Sequence, residues 1–117
     1  EGTWTPTTAS SHGAIATVGT TSGRYVKIGR SVTAHFIITI TDADTAAGAY
    51  LIFGNLPFTA SNTWNQPGVC REQSVNGNLN TAQITGNATT GIILGVTNGG
   101  VIVDSGNYQC TITYEAQ

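Results

Sequence analysis

From Ser31 onward the chain alternates. Val32, Ala34, Phe36, Ile38 and Ile40 interleave with Thr33, His35, Ile37, Thr39 and Thr41. A period of two held this long marks a half-buried β-strand, here with the even positions inward. Tyr108, Cys110, Ile112 and Tyr114 alternate with Gln109, Thr111 and Thr113 in the same way, which predicts a second long strand. Residues 90–96 and 101–103 flank Thr97-Asn98-Gly99-Gly100. Asn-Gly tolerates the positive φ of a tight turn, so a β-hairpin is expected there. Shorter strands are predicted at 14–18, 24–28, 49–53, 68–75 and 82–85, separated by Ser22-Gly23, Asn76-Gly77 and Gly86-Asn87. Only DADTAAG, residues 42–48, could hold a helical turn, because β-branched residues abound and glycine interrupts each longer window. The pattern predicts an all-β chain, residues 1–117 forming a single antiparallel β-sandwich domain of about eight strands in two sheets.

Composition changes the picture of the surface. Charged residues are 9% of the chain, against about 25% in an average soluble domain. Threonine (20), glycine (15) and asparagine (nine) take their place. Four Lys and Arg against six acids leave no basic cluster for phosphates, so no nucleic-acid partner is expected. No apolar run approaches the ~18 residues of a membrane helix, so no membrane insertion is expected either. A surface this neutral suits either self-association or neutral partners such as sugars. The absence of methionine leads us to expect a fragment or processed product of a longer protein.

Cys70 and Cys110 are the two cysteines. A bridge between them would contribute about 4 kcal/mol through loop closure. The favoured expectation is nevertheless two buried thiols packed as small hydrophobes, since small disulfide-dependent domains usually carry more cysteines. Two cysteines and two distant histidines make a zinc site unexpected, and no cofactor is predicted.

Four ordered motifs carry a resemblance. EGTWTPT at residues 1–7, GRYVKIGRSVTAHFIITI at 23–40, NLPF at 55–58 and the GNY that begins the last strand at Gly106 are similar, in order and spacing, to the C-terminal β-sandwich domains of bacteriophage tail fibres and tailspikes. The resemblance implies a jelly-roll-like homotrimer at the distal end of a virion fibre, assembled in the bacterial cytoplasm. Its role would be binding host-surface carbohydrate. A purely structural trimerisation cap, or the trimeric head of a bacterial surface filament, are the alternatives. The likeness lapses after Phe58: residues 59–68 and 73–80 follow no shared pattern, and receptor specificity is expected in that variable region. The motifs also have local physical reasons. Pro6 cannot donate to a ladder and suits an edge, Gly29 permits a tight reversal, and Leu56 and Phe58 are placed to plug one end of the core.

Catalytic chemistry is harder to assemble. Asp42 and Asp44 are the two carboxylates close in sequence, and a polar turn is the expected role, since calcium usually takes six to eight oxygens. His12 and His35 have no nucleophile motif beside them. Asp104 with Glu72 is one carboxylate pair that a glycosidase would need facing across a cleft, without further support, so a non-enzymatic chain is expected. Trp64 stands in a stretch of small polar residues. An indole offers its flat face to the C–H side of a sugar, and the amides of Asn62, Asn65 and Gln66 would bond hydroxyls. The competing reading folds Trp64 onto the core or between subunits.

Overall fold

A computed structural model of the chain describes residues 1–61 and 64–117. Among the described residues nine strands follow in chain order: β1 (Gly2–Trp4), β2 (Thr7–Ser10), β3 (Thr17–Ile28), β4 (Ser31–Asp42), β5 (Leu51–Gly54), β6 (Gln66–Glu72), β7 (Leu79–Ile84), β8 (Gly91–Gly95) and β9 (Asn107–Glu115). One 3-10 turn, Asp44–Ala46, lies where the single helical turn is predicted. The strands form one antiparallel ladder in the order β1-β3-β4-β9-β6-β7-β8-β5-β2.

That ladder curls back on itself. β1 lies at one edge against β3, and β2 at the other against β5, yet only Thr5 and Pro6 separate them in sequence. Three Cα steps of 3.8 Å bring the two edges within about 11 Å of each other. Phe36 of β4 and Phe53 of β5, strands far apart in the ladder, meet with ring centroids 4.9 Å apart. Trp4 stands edge-on to Phe36 at 5.4 Å. Pro6 is buried where the edges meet, a place with no ladder hydrogen bond to lose.

The two alternating segments behave as their periodicity requires. Val32, Ala34, Phe36, Ile38 and Ile40 point inward from β4, and Tyr108, Cys110, Ile112 and Tyr114 from β9, all buried. These two strands pair along nine positions from Ser31↔Glu115 to Thr39↔Asn107. Leu56 is buried, and the half-buried Phe58 packs edge-on against Tyr25 at 5.3 Å. They occupy the end of the core, as expected.

Three expectations are corrected. Residues 14–18 and 24–28 are not two strands parted by a turn: β3 runs unbroken from Thr17 to Ile28, with bulges between Thr17 and Thr21. Gly23 serves close packing, since a Cβ there would collide with the indole Nε1 of Trp4. Second, Asn98-Gly99 does turn, with Asn98 at φ 64° and Gly95 N–H donating to Gly99 O at 2.8 Å, but 101–103 is no returning strand. Val101 N–H donates to Ala49 O at 2.9 Å, Gly48 N–H to Ile102 O at 2.9 Å, and Ile102 is buried. Burying Ile102 draws the segment across to residues 48–49, and Gly100 lets it through, because a Cβ there would overlap Gly48 O.

Third, Cys70 and Cys110 form a disulfide. They are directly opposed in β6 and β9, with Cα atoms 4.1 Å apart, and both face the core. The pairing of strands forty residues apart brings them together, and periodicity along one strand cannot reveal which strand lies beside it.

Candidate functional site

The loop from β5 to β6 descends one end of the curled sheet. Asn55, at φ 61°, turns the chain out of β5, and its side chain donates to Thr5 O at 3.0 Å. Phe58 is held by Tyr114: the phenol donates to Phe58 O at 3.0 Å and accepts from Phe58 N–H at 3.3 Å. Ala60 bridges to Ala116, and Ser61 N–H donates to Glu115 O at 2.8 Å. The loop is thus fastened on its β5 side by the last strand and on its β6 side by Gln66.

Gln66 is buried. Its Oε1 accepts from Glu115 N–H at 2.6 Å and its Nε2 donates to Glu115 O at 3.3 Å. Both ends of the amide are occupied by the neighbouring strand end, so the expected hydroxyl contact of Gln66 is replaced by a structural one. Asn65 Oδ1 accepts from Gly86 N–H at 3.1 Å, which ties the loop to the 86–87 turn and leaves the NH₂ to donate. Asn62 lies outside the described residues.

Trp64 is 67% exposed. It does not cap the core, which Leu56 and Ala60 close instead. Its surroundings are neutral amides and the turn at Asn87, whose N–H donates to Ser61 O at 3.0 Å. The nearby Arg30 and Glu115 neutralise each other at 3.0 Å across solvent. An indole in such a setting gives an apolar platform with a few donors at its rim, suited to a neutral ring bearing hydroxyls.

The other candidates have local duties. Asp42 Oδ1 accepts from Asp44 N–H at 3.0 Å and Asp104 Oδ1 from Ala43 N–H at 2.7 Å, so both carboxylates fasten the 3-10 turn. Among the described residues no group of three His, Cys, Asp or Glu gathers for a metal ion. His35, exposed on β4, shares a hydrogen bond with Thr111 at 3.1 Å, and His12 is exposed. Glu72 is only 1% exposed and is surrounded by backbone N–H groups. Burial by itself would raise its pKa, but the N–H groups of Asn76, Asn107, Ser74 and Val75 outweigh that and hold it at about 2. A carboxylate so engaged stays ionised at neutral pH and holds the 73–77 bend in place.

One further feature has no counterpart among the sequence expectations. Asn76, Asn78 and Asn80 recur at every second position in NGNLN, and all three line a cleft at the opposite end of the sheet from Trp64. Their spacing of two along an emerging strand was the available signal. Comparison of the chain with protein-family models, with curated proteins and with solved structures gives no match.

Proposed function

We propose that the chain is a non-enzymatic receptor-binding domain at the tip of a phage tail fibre, a jelly-roll-like sandwich that binds host-surface carbohydrate as a homotrimer. The observation that carries the reading is the bare indole of Trp64, set among amides on a loop anchored by Gln66 and Tyr114. A buried disulfide suits a domain that works outside the reducing cytosol. Three linked copies would let weak single sites reach useful avidity.

Light scattering and binding to host cells test this together. Trp64→Ala is expected to lower cell binding at least about tenfold, a change of about 1.4 kcal/mol, with trimer mass and Tm unchanged. Loss of assembly in that variant would move Trp64 to a subunit interface and refute the sugar-stacking role.

A second reading, a purely structural trimerisation cap, is favoured by one observation. Val26 and Ile28, the latter 77% exposed, stand two positions apart on β3, an apolar pair that an interface would cover. That reading expects association without cell binding.

A further inference from the structure

The end of the sheet away from Trp64 carries a cleft of about 460 Å³, within the range of small-molecule sites. It opens between the 76–80 segment leading into β7 and the 95–101 segment leaving β8. We propose that this cleft is a binding site for a neutral sugar residue, recognised through the asparagine amides of its wall.

Charge selects the ligand class. No Lys, Arg or His lines the cleft, and the guanidinium beside its 76–80 wall, Arg71, donates to Gly77 O at 3.2 Å, so the lining does not select an anion. Its one carboxylate, Glu72, is turned onto Ser74, Val75, Asn76 and Asn107 N–H at 2.6 to 2.9 Å, so it is not available to a cation either. What the cleft offers is carboxamides and bare peptide groups. Asn80 is 3% exposed and sits on the inward parity of β7, where with Asn76 and Asn78 it lines the cleft. A carboxamide is matched by groups that can both donate and accept. Hydroxyl groups do both. Opposite it, Gly95, Gly99 and Gly100 bring peptide groups to the wall without side chains to cover them. Leu79 and Val96, both exposed at the rim, supply apolar shoulders for the C–H face of a ring.

The cleft is independent of Trp64. The six residue steps of β6 from Gln66 to Glu72, at about 3.3 Å each, separate the two places by about 20 Å. The inference therefore holds or fails apart from the fibre-tip reading.

A blocking variant follows from the geometry. A Cβ at Gly99 meets nothing within 4 Å, so Gly99→Phe can be rooted on this wall residue of the cleft, and Asn80→Leu removes one of its amides. The probes are methyl glycosides of glucose, galactose, mannose and N-acetylglucosamine, titrated into the isotope-labelled full chain and followed residue by residue in amide NMR spectra. We expect at least one glycoside to shift the side-chain NH₂ signals of Asn76, Asn78 and Asn80 with the amides of Gly95 and Gly99. Gly99→Phe should weaken that binding at least tenfold at unchanged Tm. Silence of the cleft signals toward all four glycosides, unaltered affinity in Gly99→Phe, or the same shifts on adding Ca²⁺ alone would each overturn the proposal. Shifts around Trp64 bear only on the fibre-tip reading.

Discussion

Glu72 keeps its charge inside the protein because backbone N–H groups of Ser74, Val75, Asn76 and Asn107 face it. Glu72→Gln would turn an NH₂ toward those donors and should cost about 2 to 3 kcal/mol, the range for losing hydrogen bonds to a buried charge, read by urea unfolding. The same residue sets an acid limit. Its pKa falls from 4.5 in the unfolded chain to about 2 in the folded one, so its contribution is complete above pH 4.5 and disappears as pH drops toward 2. Tm measured across that window should fall more steeply in the wild type than in Glu72→Gln. Of the candidate site, Trp64 was legible because a large aromatic among small polar residues is conspicuous. The role of Gln66 was hidden, since its partner Glu115 lies 49 residues away. Nothing local distinguishes an amide that serves a ligand from one that serves a distant strand.

At the level of elements, β9 organises both ends of the molecule through two tyrosines. Tyr108 donates to Val101 O at 2.5 Å and accepts from Val103 N–H at 3.1 Å, pinning the irregular 101–103 segment. Tyr114 does the same for Phe58. Burial pushes both phenols up to about 12 from the usual 10. Their neutral forms are favoured by folding, so this stability is intact below pH 10 and lost as pH rises toward 12. The phenolate absorbance of Tyr108 and Tyr114 should therefore appear together with unfolding in that interval. Tyr108→Phe leaves Val101 O and Val103 N–H without their phenol partner and should cost about 1 to 3 kcal/mol in chemical denaturation. The disulfide joins β9 to β6. Reducing it, or Cys70→Ser with Cys110→Ser, should cost about 4 kcal/mol by the loop-closure account, seen as a lowered urea midpoint. Long alternating strands such as β4 and β9 were readable because each inward position is buried by the whole ladder. The 101–103 segment was not, because its apolar run serves the burial of Ile102 against residues 48–49 instead of pairing with β8.

For the whole molecule, neutrality of the surface would favour the proposed self-association. With charged groups at 9%, little electrostatic repulsion opposes the approach of like copies. In the proposed trimer the apolar pair on β3 is covered. Val26→Lys with Ile28→Lys is expected to reduce the mass in light scattering to that of the 12.1 kDa chain, with the circular dichroism of the β-sheet retained. An unchanged mass would remove β3 from the interface. All-β character could be read from periodicity and turn residues. The joining of nine strands into one continuous ladder could not, because its two edges depend on pairings of the first ten residues with β3 and β5 that no local pattern announces.

The short run from Gly2 to Ser10 is in this respect a clasp. By pairing β1 with Gly23, Arg24 and Tyr25 of β3 and β2 with the whole of β5, it covers part of one margin and all of the other, and exposed margins are where β proteins recruit foreign strands. A nick near Thr5 would free the short piece that carries β1 and bare its stretch of β3, so it should convert a well-behaved protein into one that polymerises by strand addition.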